Sequence, residues 1–551
     1  MVTHLPRELR DARALAAFIG AMQVGRVEAV HVAPATDALD QALRVRAQAL
    51  AKLETAYAQA LGNPCRARSY DAVLLRRVAL TDTPHARDVE RRLLRRWAPK
   101  QKPSRGGGGA VQTRPTALVW GWPLPHRVDA IDHWRAQLAA ADRRVHAARS
   151  SLRDASSLAD GGSTTAFVTM RRPVDAYVIS QLNVYARPST CTIRMAPEAR
   201  AVVWANVGKP YSKKMLRYVG GLLMTAALLL LWCVPVVLIS TLISLRFLIT
   251  RAPGLADAVQ NNKFVRSLLG YTLPSLILTI FLTVLPRLLW SFVLVGGDRA
   301  FSIADKNMWI RHLYFLVIYV VVIIGMSGSV WTAIYDVFTD FGGFWDRIIA
   351  VLPQMATWYS VYVMLYGAGY QVMKLLHLKS VCRFLFHQAR ARTPREYMQA
   401  ISPVFIDWGT IQPHTVLFFF IGILYAHLQP LLLPMCVLYF AVGLFVMKYM
   451  CTYAWYFRQQ VAGALWPVIV RRMVVCILLY QALTTAVFSS NNNRWFVAPM
   501  IVLMLFTWYY FWVRCRYLRQ LSETLPLQLM REAERRRAVV LARETNFGHQ
   551  T

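Results

Sequence analysis

The chain has 551 residues, of which 56% are hydrophobic, and it carries 63 Lys and Arg against 29 Asp and Glu, a formal net charge of +34. This mixture of apolar content and positive charge excludes an ordinary soluble enzyme and predicts a membrane protein with a basic cytosolic face. The eight cysteines contain no C-x-x-C pair, so we expect neither a disulfide framework nor a metal site.

Residues 1–215 are predicted to form a cytosolic α+β domain. The first 20 residues hold charged side chains and no apolar core, so we read no signal peptide and place the amino terminus in the cytosol. Alternating and helical patterns predict three strands and two long helices, over 27–33, 164–171 and 191–197 for the strands and 36–61 and 128–152 for the helices. A basic Gly- and Pro-rich linker over 100–118 indicates that a helical insertion splits this domain.

The predicted domain is RRM-like in fold, but its sequence argues against a nucleic-acid partner. The string AFVTM, residues 166–170, is similar to the core of an RNA-recognition strand, which needs aromatic side chains to stack bases. Thr165 and Met170 stand at the two outer aromatic positions, and Phe167 alone remains. We therefore expect the basic surface to face the anionic lipids of the inner leaflet.

Eight apolar segments are predicted to cross the membrane as helices, over 218–249, 268–295, 312–334, 348–373, 413–427, 430–454, 464–488 and 495–515. The fifth segment is shorter than the others. The even number, together with the excess of Lys and Arg in alternate loops, places both termini in the cytosol. Residues 216–515 are thus predicted to be an α-helical, multi-pass membrane domain, followed by a basic cytosolic tail over 516–551.

The fourth segment, 348–373, is rich in tyrosine and contains two glycines one residue apart. One interpretation is a packing groove with interfacial tyrosines, and the other is a pore-lining helix with a hinge at Gly367 and Gly369. Thr279 and Thr283 share one face of the second segment, although such hydroxyls commonly bond the carbonyls of their own helix.

Catalysis and coupled transport find no support in the sequence. There is no nucleophile elbow, no phosphate-cradling glycine loop and no metal-ligand cluster, so we expect no enzymatic activity and no cofactor. None of the predicted spans has an acidic residue deep inside it, which disfavours proton- or ion-coupled transport. Three classes stay open: a tension-gated ion channel, a lipid scramblase, and a non-conducting structural or regulatory subunit.

Several strings of the sequence, in order and spacing, resemble the calcium-permeable stress-gated cation channels of the OSCA type, which are related to the anoctamin superfamily. They include VTHLPRELRDARALAAFI, TTAFVTMR, MAPEARAVVWANVGKPY, LPSLILTIFLTVLPRLLWSF and VLPQMATWYSVYVMLYGAGYQVMKLL. The resemblance implies a mechanosensitive and osmosensitive non-selective channel that passes calcium and monovalent cations. It implies a plasma-membrane or endomembrane location. It also makes residues 191–216 the connection between the cytosolic domain and the membrane.

The candidate site residues are polar positions of the predicted spans, and the resemblance favours a pore-lining role for them. The pore-lining candidates are Thr279, Thr283, Tyr319, Ser327, Tyr359, Tyr362, Tyr366 and Tyr370. Two departures concern the pore, because Gly296 and Gly297 at the inner mouth replace the family's Glu-Gly and Tyr319 replaces an Asn. Members of the family carry three further membrane helices before the cytosolic domain, so we expect a longer physiological product. The expected partners are membrane lipids, and we leave a homodimer open.

Overall fold

The computed structural model describes residues 1–34, 36–61, 89, 92, 115–119, 126–157, 162–187, 190–243, 276–277, 280–281, 283–323, 355–402, 405–457, 463, 465–490, 494–523 and 527–548. The chain divides into two compact units. One unit comprises 1–33, 163–372 and 405–551, and the other comprises 34–162 and 373–404.

A four-stranded sheet opens the first unit. The described strands are β1 (Val2–Thr3), β2 (Val27–Pro34), β3 (Thr116–Val119), β4 (His126–Asp129), β5 (Gly162–Met170) and β6 (Thr192–Ile193). Their order in this sheet is β2-β5-β1-β6, and β1 pairs antiparallel with both neighbours. The predicted strands over 27–33 and 164–171 are confirmed as β2 and β5. The strand predicted over 191–197 is shorter, because its partner β1 offers only two residues to the ladder.

Two helices cover one face of this sheet. The first four helices are α1 (Ala12–Ala21), α2 (Asp37–Leu61), α3 (Ala130–Ser157) and α4 (Pro173–Gln181). The Asp11 carboxylate accepts a hydrogen bond of 3.1 Å from the Ala14 amide and so caps the first turn of α1. Leu15 of α1 and Ile179 of α4 pack on Val2 and Ala166 of the sheet. This small core is the hydrophobic anchor of the amino-terminal fold.

The opposite face of the sheet is covered by the segment that leads to the membrane. Along β5, Thr165 and Phe167 point away from the α1/α4 core because successive strand residues alternate. The Thr165 hydroxyl donates a 2.9 Å hydrogen bond to the Val207 carbonyl. The Phe167 ring lies 5.8 Å, centroid to centroid, from that of Trp204. The face on which an RNA-recognition domain would stack bases is therefore occupied by this segment.

The remaining described helices belong mostly to the membrane region. They are α5 (Trp204–Val207), α6 (Tyr211–Ile243), α7 (Leu285–Val295), α8 (Phe301–Leu316), α9 (Ala356–Met364), α10 (Gln371–Leu375), α11 (Leu378–Arg390), α12 (Pro394–Ile401), α13 (Trp408–Ile411), α14 (Pro413–Leu424), α15 (Leu432–Tyr449), α16 (Trp466–Ser490), α17 (Arg494–Glu523) and α18 (Leu527–Gly548). Three π-helical turns extend them, at Val317–Ile323, Leu365–Tyr370 and Met450–Ala454.

Four helices of the described ranges are long and apolar enough to cross a membrane: Tyr211–Trp232, Leu432–Ala454, Trp466–Ser489 and Trp495–Leu518. Shorter apolar helices include Leu285–Val295 and Trp408–Leu424. Parts of the predicted second, third and fourth segments lie outside the described residues, so the total of eight spans stays a prediction. The Trp495–Leu518 window is 0% buried within the protein, as expected of a helix surrounded by lipid.

The bundle has a core of large side chains. Leu289 of α7, Met308 and Trp309 of α8, and Phe418 and Ile421 of α14 are buried in one hydrophobic cluster. Helices α9, α15 and α16 complete this cluster. Close packing of this kind resists small displacements, so relative movement of these helices requires discrete repacking.

The second unit contains the insertion. Helices α2 and α3 pack through Leu53, Ala56 and Ile131, beside the β3–β4 hairpin. Arg395 of α12 forms a 2.8 Å ion pair with Glu54 of α2. The last residues of the predicted linker over 100–118 belong to β3, because they pair with β4 in an antiparallel ladder. The rest of that linker lies outside the described residues.

Candidate functional site

The predicted hinge glycines of the fourth segment lie in a π-helical turn. This turn, Leu365–Tyr370, separates α9 from α10 and contains both Gly367 and Gly369. A Cβ atom at Gly367 would lie 3.4 Å from the Cα and Cβ atoms of Tyr439 on α15, which is close packing. The nearest atom to a Cβ at Gly369 would be a flexible leucine methyl group at 3.9 Å. Gly367 therefore allows a backbone approach that Gly369 does not require.

The tyrosines of this segment fill the space between helices. The Tyr359 hydroxyl donates a 2.6 Å hydrogen bond to the Val320 carbonyl. Tyr362 is fully buried, and its ring stacks on Trp358 with centroids 5.1 Å apart. The Tyr366 hydroxyl lies 3.1 Å from Nε2 of His414. In this conformation these rings belong to the hydrophobic core of the described helices.

The other pore candidates are distributed differently. Tyr319 is buried and its hydroxyl donates to the Leu229 carbonyl of α6, whereas Tyr370 is half-buried beside Tyr366. The Thr283 hydroxyl donates to the Ile280 carbonyl at 2.6 Å. This is a bond to a carbonyl of its own segment, the alternative to a pore-lining role that the sequence analysis named. Thr279 and Ser327 lie outside the described residues.

The two inner-mouth glycines lie at the junction of α7 and α8, away from the tyrosine cluster. Gly296 ends α7, and the backbone of Gly297 has a φ angle of +75°, a left-handed conformation that favours glycine. The residues that follow, 298–300, are buried. The glycines thus shape a tight, buried turn between α7 and α8.

This turn is bonded to the segment that covers the amino-terminal sheet. The Val203 amide donates to the Arg299 carbonyl at 2.9 Å, and Val202 forms an antiparallel bridge with Ala300. The Asn206 side-chain amide donates to the Asp298 carbonyl at 3.0 Å. We call residues 202–207 and 296–300 the joint. It links the sheet to the α7–α8 turn through backbone and side-chain hydrogen bonds.

Buried polar groups on α8 were not identified from the sequence as site residues. Arg311 is 9% exposed, and its guanidinium donates to the Gly221 carbonyl at 3.0 Å and to the Thr225 hydroxyl at 3.1 Å, which ties α8 to α6. Asp305 accepts a 2.8 Å hydrogen bond from the Gly409 amide. Asp305 and His312 lie about two helical turns apart and therefore share one face of α8. This spacing could have indicated a polar face from the sequence.

Asp305 forms a carboxyl pair with Asp407, just outside the predicted span that begins at 312. Burial, with the neighbouring Asp407 carboxylate, raises the pKa of Asp305 to about 8. Oδ1 of Asp407 is buried and meets no N–H donor or hydroxyl among the described residues. With this pKa Asp305 is mostly protonated at neutral pH, and its O–H is a donor for that oxygen.

Two family models match successive parts of the chain. Residues 1–206 match the model described as "Cytosolic domain of 10TM putative phosphate transporter". Residues 217–488 match the model described as "Calcium-dependent channel, 7TM region, putative phosphate". The chain belongs to the calcium-permeable stress-gated cation channel family. The resemblance inferred from the sequence is thereby confirmed, and the membership places residues 1–206 in the cytosolic domain of this family.

Similar proteins come from plants and fungi. The chain is 26% identical to "Hyperosmolality-gated Ca2+ permeable channel 1.8" of Arabidopsis thaliana over 362 residues, which are 65% of this chain and 44% of that protein. It is 26% identical to "Vacuolar transmembrane transporter penV" of Penicillium rubens over 486 residues, 86% of this chain and 56% of that protein. Against "Calcium permeable stress-gated cation channel 1" of Schizosaccharomyces pombe it is 25% identical over 363 residues, 64% of this chain and 44% of that protein.

These relatives are named as channels or a transporter, and none of the three as an enzyme. The chain spans about half the length of the curated relatives it matches. The matched 7TM region contains seven of the eight segments predicted from the sequence. One relative is vacuolar by name, so the membership gives a multi-pass membrane protein without fixing which membrane holds it.

Proposed function

We propose that this chain belongs to a calcium-permeable, non-selective cation channel that opens under membrane tension. Calcium and monovalent cations pass between the first five membrane segments, beside the helix that contains the π-helical turn. The RRM-like cytosolic domain contributes mechanically, because its sheet is bonded to the α7–α8 turn through the joint. The protein acts in the plasma membrane or an endomembrane, in contact with the anionic inner leaflet.

The observation that carries this proposal is the π-helical turn of the fourth segment. A π-helical turn holds an extra residue in a helix and is frequent at functional sites, since its loss re-registers the residues that follow. Here the turn contains Gly367, which packs against Tyr439, and Tyr366, which contacts His414. Movement at the turn would withdraw the tyrosine rings and open a polar path. The arrangement described above is then the closed state of the channel.

Gly367→Leu is expected to abolish stretch-activated current, whereas Gly369→Ala is expected to retain it. The Gly367 Cβ would already lie 3.4 Å from Tyr439, so a leucine forces α15 away, while the methyl group at Gly369 would meet only a flexible side chain at 3.9 Å. We expect a fall of at least about tenfold in current for the first variant, equivalent to about 1.4 kcal/mol against the open state. Patch recordings under graded suction measure this effect.

Surface amounts of both variants must be equal, so that a loss of current is not a loss of protein. Tyr362→Ala provides a second probe, because it opens space in the aromatic core without adding bulk. Currents unchanged in Gly367→Leu and Tyr362→Ala would contradict a path beside this helix. Lipid flipping without current would favour the scramblase. The absence of both activities would favour the regulatory subunit.

The proposed topology predicts opposite labelling of two engineered cysteines. In a cysteine-free background, Ser489→Cys is expected to react with an impermeant thiol reagent on intact cells, because it lies at the end of α16 in a predicted outer turn. Arg531→Cys in the exposed part of α18 is expected to react only after permeabilisation. Labelling of Arg531→Cys on intact cells would contradict a cytosolic tail and an even number of spans.

A further inference from the structure

A cavity of about 850 Å³ lies inside the first unit, where the sheet approaches the membrane helices. Residues from β1, from the end of β6 and from the starts of α6 and α8 line it. Its cationic lining consists of Arg194, Lys214, Arg299 and Lys306, which come from four separate stretches of the chain. The like charges repel one another, and an anion bound among them would offset this repulsion.

Arg299 is the most constrained of these cations. It is 6% exposed, and its backbone is fixed by the hydrogen bond from the Val203 amide to its carbonyl. Among the described residues, Nε and one Nη of its guanidinium are buried without a hydrogen-bond partner. Burial and the nearby Arg194 charge lower the pKa of Arg299, so the surroundings disfavour this cation. A buried guanidinium is ordinarily paired, whereas these two nitrogens have no partner in the part of the chain that the structure describes.

Two acids line the cavity, Glu198 and Asp305, and a third, Asp298, directly precedes Arg299 in the chain. The Asp298 carboxylate accepts a 2.8 Å hydrogen bond from the Asn307 side chain and acts electrostatically on Lys214. Burial and the neighbouring Asp407 raise the pKa of Asp305 to about 8, so its carboxyl carries little negative charge at neutral pH. The four cationic residues of the lining therefore outnumber the carboxylates around the cavity.

We propose that this cavity binds a phosphate group carried on a larger polar molecule, with the Arg299 guanidinium as its main ligand. A guanidinium fork matches two oxygens of a phosphate, and lysines at the rim complement it as point charges. The volume lies in the range of sites for drug-sized molecules, which exceeds the needs of a bare phosphate ion. Two sources fit this chemistry: the headgroup of a phosphoinositide in the inner leaflet and a soluble inositol phosphate.

Occupancy would strengthen the joint, because Arg299 belongs to both structures. Its carbonyl accepts from Val203 in the joint, and the same residue lines the cavity. A bound phosphate would hold the α7–α8 turn against the cytosolic sheet. This inference concerns binding and does not depend on whether the chain conducts ions.

Thermal unfolding of the full chain in detergent tests the site. The probes are inorganic phosphate, inositol 1,4,5-trisphosphate, and micelles containing either phosphatidylinositol 4,5-bisphosphate or phosphatidylserine. We expect the trisphosphate, the bisphosphate lipid or both to raise the unfolding midpoint at lower concentration than inorganic phosphate. Arg299→Gln and Lys214→Gln are expected to require at least about tenfold more of that probe, because each removes one charged contact.

Lys213→Gln is the matched control, because Lys213 is the exposed neighbour of Lys214 and does not line the cavity. Its response is expected to stay within about twofold of the wild type, as for a surface charge. A response confined to the lipid identifies a headgroup, and a response confined to the soluble probe identifies an inositol phosphate. The proposal is overturned if no phosphorylated probe acts on the wild type, if phosphatidylserine acts equally well, or if Lys214→Gln behaves like Lys213→Gln. This last comparison decides the matter even where Arg299→Gln does not fold.

Discussion

Gly221→Ala is expected to lower the free energy of unfolding by about 1–3 kcal/mol, the usual cost of overpacking a well-packed contact, whereas Gly220→Ala is expected to be neutral or slightly stabilising. A Cβ atom at Gly221 would lie 2.8 Å from the Phe292 carbonyl oxygen of α7. At Gly220, the next residue of the same helix, a Cβ would meet nothing within 4 Å. The two substitutions add the same methyl group and the same gain in helix propensity, so their difference isolates the contact.

The contact matters because two further interactions involve Gly221. The Gly221 carbonyl accepts from Arg311 at 3.0 Å, and a Cβ at Gly221 would also approach Gly296, at 3.6 Å, where the buried turn begins. Backbone oxygen atoms cannot move aside as side-chain ends do, so α6 and α7 must separate. This separation stretches the hydrogen bonds of Arg311 and displaces the turn to which the cytosolic sheet is bonded.

Thermal unfolding in detergent measures the stability difference, and patch recordings measure its consequence for gating. We expect a lower unfolding midpoint in Gly221→Ala, together with a shifted tension response in the protein that reaches the membrane. Equal midpoints for the two alanine variants would show that α6 and α7 are not in the close contact described above.

Sequence patterns predicted the elements whose signal is local. The alternation over 27–33 and the helical spacing over 36–61 identified β2 and α2 within a few residues. The family was also accessible, because its strings occur in order along most of the chain. Such features depend on neighbouring residues, which a single sequence displays directly.

The tertiary environment of the tyrosines could not be predicted in the same way. The spacing of Tyr359, Tyr362 and Tyr366 is equally consistent with a polar pore face and with a buried aromatic face. What decides between them is the partner surface, and Phe418 and His414, which contact Tyr366, lie about fifty residues further along the chain. Hydroxyl groups that bond carbonyls across helices, as Tyr359 does with Val320, let tyrosine occupy a core without leaving a polar atom unpaired.

Contacts between distant residues explain what the sequence did not reveal at the joint. Arg299 and Arg311 belong to the excess of Lys and Arg in alternate loops that predicts the orientation in the membrane, yet both, like the neighbouring Asp298, are less than 10% exposed. Their partners come from the amino-terminal segment or from α6, at separations of 90 residues or more for the bonds of Asp298 and Arg311. Charge counting registers the sign of such residues and not their burial.

The Asp305–Asp407 pair gives the second large expected effect, a loss of stability as pH rises. Because burial and Asp407 raise the pKa of Asp305 to about 8 from an ordinary value of 3.8, the folded protein binds more protons than the unfolded chain between these values. Its contribution to stability is therefore fully present below about pH 4, falls as pH rises, and levels off above about pH 8. The slope inside this window is at most about 1.4 kcal/mol per pH unit.

Asp305→Asn is expected to flatten this dependence. The asparagine carbonyl can still accept from the Gly409 amide, and its NH₂ group can donate to Oδ1 of Asp407, which lacks an N–H or hydroxyl donor among the described residues. The variant thus imitates the protonated carboxyl at every pH. Asp132→Asn, at an exposed position of the insertion, is the control and should leave the pH dependence unchanged.

Unfolding midpoints measured in detergent from pH 5 to pH 9 distinguish these outcomes. We expect the wild type and Asp132→Asn to lose roughly 2 °C or more relative to Asp305→Asn as pH rises through this range, because the stability difference grows by several kcal/mol. The comparison between variants removes the contribution of histidines and other groups that titrate in the same range. Parallel curves for wild type and Asp305→Asn would mean that Asp305 is ionised in the folded protein at neutral pH. The cavity beside Asp305 would then hold one more negative charge than we infer.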